Sequence, residues 1–104
     1  MSIPSTMVVE RVDISVPSGQ EADFEAIMRR ASTLLASAIG CRGVSLSRCV
    51  ERPSRYMLQL NWLSINHHQD FTKTANFQTF RELAGPFFSE RPTTEHFQPI
   101  FTDP

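Results

Sequence analysis

The chain has 104 residues, which suits one domain with a core of its own. Lys and Arg number 10 and Asp and Glu 11, a formal charge of −1 that gives no electrostatic argument for nucleic acid or an anionic membrane. Apolar residues make up 40% of the sequence, enough to drive folding, yet no apolar run approaches a membrane span.

The N-terminal MSIPSTMVV has no basic flank and no signal-peptide core, which predicts a cytoplasmic protein. Cys41 and Cys49 lie in no CxxC motif and are expected as free, semi-buried thiols. There are no internal repeats or linkers. Residues 1–6 read as a loose leader and 101–104 as a loose tail.

Residues 7–16 alternate, with Val8, Val12, Ile14 and Val16 on one face together with Glu10, and Val9, Arg11, Asp13 and Ser15 on the other. That pattern predicts a half-buried strand. Pro17-Ser18-Gly19 breaks it, and Ser18 with Glu21 has the spacing of a capping box. Phe24, Ile27, Met28, Ala31, Leu34, Leu35 and Ala38 then form a helical apolar stripe, read as core, and Gly40 stands where a helix stop belongs.

Residues 43–51 alternate again, with Val44, Leu46 and Val50 in phase with Arg48. Arg48 is expected to snorkel to the rim, the alternative being a carboxylate or anion inside. Pro53-Ser54 makes a turn into a strand over 55–63, paired with its predecessor as an antiparallel hairpin. Tyr56, Leu58, Leu60 and Trp62 share one face of it, and Met57, Gln59, Asn61 and Leu63 the other. Both faces are fairly apolar, which predicts cover on both sides: helices on one, a second subunit on the other.

Ser64 or Asn66 can cap a short helix over 67–73, and a second helix runs over 76–83 until Gly85-Pro86 ends or kinks it. Pro92-Thr93 opens a last short strand around 95–100. The order β-α-β-β-α-β is the α+β, ferredoxin-like split arrangement. Both helices cover one face of the antiparallel sheet, leaving the other open to a partner.

Four features together resemble the antibiotic-biosynthesis monooxygenase family of dimeric α+β barrels: the strand–PSG–helix opening, IGCRGVSLSRCVERPSRYMLQLNW, W-x-S running into a His-bearing helix, and the closing EHFQPIF. The likeness spans roughly residues 7–101. It implies a homodimer with a pocket between sheet and helices. Several members oxidise polycyclic phenols or quinols with O₂ and no metal or flavin; others degrade haem, or oxidise or isomerise small metabolites. Trp62 stands where anthrone-oxidising members carry a pocket Trp, and Arg81 about where they carry an Arg. Leu58 stands in place of their strand Asn, on the same face as Trp62, whereas Asn61 must point the other way. His68 falls where those members place a Tyr and many others a His. Haem-degrading members use a His whose place Arg81 takes here, which disfavours haem.

The resemblance thus implies a cofactor-independent monooxygenase acting on a phenolic, anthrone- or quinol-like substrate. Cofactor-free oxidation needs proton removal, an anion-stabilising group and a dry pocket. His68 has a near-neutral ordinary pKa suited to a base, and Arg81 could hold an oxyanion. Trp62, Tyr56, Phe71, Phe77 and Phe87, with Leu58, could wall a flat ring. Against these stand plainer readings: Trp62 as core, His67 as a solvated helix start, Arg81 in a surface ion pair with Glu82, Glu90 or Glu95, and His96 as a rim residue. Among possible metal ligands, His67, His68, Asp70 and His96 show no HxH or HxxxH spacing, and adjacent His residues rarely face one ion, so no metal is expected. A non-catalytic binding domain and a cofactor-free isomerase, again with His68 as base, are the alternatives.

Overall fold

A computed structural model describes residues 6–103 of the chain. The leader expected over residues 1–6 therefore lies outside the described residues except for Thr6, as does Pro104 of the expected tail.

Alternation at period two makes β1 (Val8–Ser15), β2 (Cys41–Arg48) and β3 (Arg55–Trp62), and β4 (Thr93–Phe97) follows the loop that Pro92 closes. The strands lie in the order β2-β3-β1-β4, every neighbouring pair antiparallel. This is the ferredoxin-like arrangement, with its second helix split into α2 (Ile65–Phe71) and α3 (Ala75–Ala84). Ser64 caps α2 by accepting from the His67 amide, and Thr74 caps α3 by accepting from the Phe77 amide. A 3₁₀ turn over Gly85–Phe87 follows, with Pro86 inside it.

The helix α1 (Glu21–Ala36) buries Phe24, Met28, Ala31 and Leu35, the centre of the expected stripe. Against them lie Tyr56, Leu58, Leu60 and Trp62 of β3, none more than 3% exposed. Phe71, Phe80 and Ala84 bring α2 and α3 into the same core. One face of the sheet is thereby covered. Met57, Gln59, Asn61 and Leu63 on the other face of β3 are only half-buried.

Three local expectations differ from the structure. The capping box does not form, because α1 begins at Glu21 itself and Gln20 holds the cap position without a side-chain bond. Glu21 instead accepts from the Gly19 amide at 2.8 Å and from Ser54 Oγ at 2.7 Å, tying the helix start to the β2–β3 turn. Second, β2 ends at Arg48, so Val50 sits in the turn and is 88% exposed. A register shift between Cys41 and Gly43 moves the strand's start earlier than its alternation suggested. Third, α2 begins two residues earlier than position 67, which places His67 inside the first turn, half-buried.

Arg48 takes the rim reading, and the carboxylate it meets lies at the surface and not inside. The guanidinium makes a two-pronged contact with Glu25 of α1, at 3.0 and 3.2 Å. Cys41 and Cys49 are free thiols of intermediate burial. Among the described residues, no helix is long and apolar enough to cross a membrane.

Candidate active site

The β1–β3 ladder pairs Val8 with Trp62, and the β1–β4 ladder pairs Glu10 with His96. Side chains two apart share a strand face, so Trp62, Glu10 and His96 all point to the helix side of the sheet. Helix α2 then lowers His68 onto them. Its ring stacks on the Trp62 indole, with centroids 5.4 Å apart and planes 26° from parallel.

These four residues form one polar chain. Trp62 Nε1 donates to Glu10 Oε1 at 2.9 Å. Glu10 Oε2 lies 3.3 Å from His68 Nε2. His68 Nδ1 shares a 2.8 Å hydrogen bond with His96 Nε2. The chain runs outward: Trp62 and Glu10 are buried, His68 half-buried and His96 exposed. A buried carboxylate needs partners, and here an indole N–H and an imidazole supply them.

Beside this chain opens a cavity of about 580 Å³, within the range of small-molecule sites. Its wall contains Glu10, Trp62 and His68 together with Leu58, Leu60, Phe71, Phe77, Phe80 and Phe88. Phe71 meets Trp62 at 5.7 Å and Phe77 edge-on at 5.6 Å, so aromatic faces continue around the wall. Arg81 and Arg91 are its cationic lining residues. The guanidinium of Arg81 sits 5.8 Å from the Phe77 ring centre. It forms no ion pair among the described residues, so the expected bridge to Glu82, Glu90 or Glu95 is not present there.

Burial, helped by the neighbouring His96, pulls the His68 pKa below its ordinary value, and Glu10 opposes that shift. The ring is therefore weighted toward its neutral, proton-accepting form near neutral pH.

Of the expected site residues, Trp62, His68, Arg81, Leu58, Phe71 and Phe77 do line this cavity, whereas Tyr56 and Phe87 do not. Tyr56 shares the strand face of Trp62, but it sits at the far end of β3, under α1. There its hydroxyl donates to Glu25 at 2.6 Å beside a separate cavity of about 390 Å³ between α1 and β2. Burial and the Glu25 carboxylate push its pKa up to about 12. Phe87 turns away on the 3₁₀ segment and packs on Phe24 at 5.9 Å. The neighbouring Phe88 takes the place on the wall.

Glu10, His96, Phe80 and Arg91 were not among the expected site residues. The signal for Glu10 was present: a lone carboxylate on the apolar face of β1. His96 joins only through the β4 register, which spacing along the chain does not reveal. His67 is not a solvated helix start. Its ring shares a 2.7 Å contact with Ser64 Oγ and lies against Gly40.

Glu10, His68 and His96 each offer a ligand atom within 4.8 Å of the others, from three separate elements. The expectation of no metal weighed His68 and His96 as ligands with His67 and Asp70 and did not include Glu10. In this geometry, however, the two nitrogens of His68 face different partners. A metal ion accepts only one nitrogen from a ring. The arrangement is that of a polar chain, hydrogen-bonded at Trp62–Glu10 and at His68–His96 and joined by the 3.3 Å approach of Glu10 to His68.

A profile described as antibiotic biosynthesis monooxygenase matches residues 7–83. A Bordetella bronchiseptica protein, solved as a candidate antibiotic biosynthesis monooxygenase, is 41% identical. It superposes with a TM-score of 0.88, covering 92% of this chain and 99% of that one. The uncharacterised YczJ protein of Bacillus subtilis (strain 168) is 30% identical over 95 residues, which are 90% of this chain and 100% of YczJ. A variant of SnoaB, a cofactor-independent oxygenase from Streptomyces nogalater, is 17% identical with a TM-score of 0.83 over 95% of this chain and 98% of its own, a likeness of fold.

Proposed function

This chain belongs to the antibiotic biosynthesis monooxygenase family, and from that premise we propose that it is a small cytoplasmic, cofactor-independent monooxygenase that oxidises a phenolic, anthrone- or quinol-like aromatic compound with O₂. The observation that carries this reading is the Glu10–His68 pair, set against Trp62 on the wall of an aromatic cavity.

The chemistry needs little else from the protein. The pair takes a proton from the substrate, breaking a C–H or O–H bond and leaving its electrons on an acidic, conjugated ring. The resulting anion reduces O₂, and recombination forms a C–O bond. At a methylene carbon the peroxide then loses water, so that CH₂ and O₂ become C=O and H₂O. Arg81 is positioned to steady the developing oxyanion, and the apolar wall keeps water from competing. Leu58 offers no amide at the place where anthrone-oxidising members carry Asn. Glu10, diagonally across the β1–β3 ladder, is a polar group on the same wall.

The same pair favours a second reading, a cofactor-free isomerase. A carboxylate and an imidazole side by side can take a proton from one atom and return it to another. Oxygen consumption separates the two. A panel of hydroxyaromatic compounds is screened by quenching of Trp62, the only Trp in the chain, and the binders are tested in an oxygen electrode. Equimolar uptake of O₂ with substrate supports the monooxygenase. Tight binding without uptake rejects it.

A further inference from the structure

We infer that Glu10 is the group that accepts the proton from the cavity, and that His68 and His96 conduct it from there to solvent. The inference deepens the proposed function and rests on that reading for its catalytic meaning.

A neutral imidazole has two nitrogens, each with room for one partner. In His68 both are engaged: Nδ1 with His96 Nε2 at 2.8 Å, and Nε2 facing Glu10 Oε2 at 3.3 Å. His68 lines the cavity, yet it presents no free nitrogen to a molecule inside. A carboxylate has about four acceptor positions. Glu10 engages Oε1 with Trp62 and faces His68 with Oε2, so acceptor capacity remains toward the cavity it lines.

The other end of the chain is built differently. His96 lies on the exposed strand β4 and does not line the cavity. It is held beside Glu10 by cross-strand pairing, and its ring centre is 4.9 Å from that of His68. One end of the chain thus faces substrate and the other faces water.

The steps balance. The substrate gives its proton to Glu10 and keeps the electron pair. Glu10 passes a proton to His68 Nε2, and the imidazolium releases the one on Nδ1 to His96 Nε2. His96 then gives a proton to water from its other nitrogen. The relay returns Glu10 to its carboxylate and leaves each imidazole with its proton on Nε2 in place of Nδ1, so both rings exchange tautomer through water before the next turnover. Apart from Glu10 and His96, the charged side chains lining this region are Arg81 and Arg91, whose positive charge assists expulsion of a proton.

The test uses the full-length protein with ¹⁵N-labelled histidine. A scalar coupling across the His68 Nδ1–His96 Nε2 hydrogen bond is expected in the ligand-free protein and lost in His96→Ala. The His68 titration midpoint is expected to rise in His96→Ala and to fall in Glu10→Gln. With an oxidised hydroxyaromatic in hand, Glu10→Gln should lower turnover by about 10²–10⁴-fold. His96→Ala should lower kcat more than kcat/KM, and free imidazole should restore it, which a merely structural role would not allow. Absence of the coupling, with unmoved midpoints, overturns the inference. So does stoichiometric Zn²⁺ binding that shifts the His68 and His96 signals together, since the ion would then replace the shared proton. If no hydroxyaromatic is oxidised, the proposed function fails, while the coupling and the midpoints still decide the chain.

Discussion

Trp62 Nε1 donates to Glu10 Oε1 at 2.9 Å, and the ladder that pairs Val8 with Trp62 places Glu10 two residues along on the same face. An indole buried to 0% exposure and a carboxylate at 7% thus satisfy one another inside the core. Removing the acceptor leaves a buried N–H unpaired. Glu10→Ala is therefore expected to cost about 1–3 kcal/mol of stability in urea denaturation. Glu10→Gln keeps a carbonyl acceptor for the indole and should cost less. Equal losses in the two variants would show that this hydrogen bond contributes little.

Gly40 is required for two reasons. Its φ is +84°, and a Cβ there would lie 2.4 Å from the ring of His67. Gly40→Ala should destabilise by about 1–2 kcal/mol from the backbone alone, with a further loss from the clash. His67→Ala in the same chain should recover only the part of the clash due to the ring, since the His67 Cβ itself lies 2.7 Å from that position, and none of the backbone loss. A double-mutant cycle measures the difference, and full recovery would mean that the backbone strain is absent.

What the sequence made legible follows the range of the interactions. Strand β3 and the stripe of α1 were readable because alternation and helical spacing are properties of one segment. So was the placing of Trp62 and Leu58 on one face, since that needs only the strand period. Glu21 was misread because Ser54, 33 residues away, claims its carboxylate. Tyr56 shares a face with Trp62 but not a cavity, because α1 covers its end of β3 while α2 and α3 cover the other. The Glu10–His68–His96 chain joins β1, α2 and β4, so no local spacing could show it.

The sheet face opposite the helices supports a further expectation, that the protein is a homodimer. Phe97 is 45% exposed on that face beside its ladder partner Val9, and Met57 and Leu63 lie there half-buried. Apolar surface of this kind is stabilised by a second copy. Light scattering should give twice the monomer mass at micromolar concentration. Met57→Glu should shift the equilibrium toward monomer. A monomeric wild-type protein would sink the idea.

The pH dependence follows from His68. Burial lowers its pKa in the folded protein, so the unfolded chain binds a proton more readily. This group's contribution to stability is full above the ordinary histidine value and is lost as pH falls below it toward the folded value. Turnover should follow the same direction, because only the neutral ring can receive a proton from Glu10. A profile that rises with pH, with its midpoint below that of free histidine, is the expected result. His68→Ala should lower turnover by about 10²–10⁴-fold, the usual share of positioned acid–base groups, and flatten that limb. Arg81→Ala should lower turnover as well, since it removes a cation from the cavity wall. Asn61→Ala should not, because Asn61 points to the opposite face of β3, where its amide lies near Gly43. If His68→Ala kept full activity, or if hydroxyaromatics bound without being oxidised, Leu58 in the place of an amide would be the better guide. The chain would then be a binding domain on an oxygenase fold, for a fold alone does not fix a reaction.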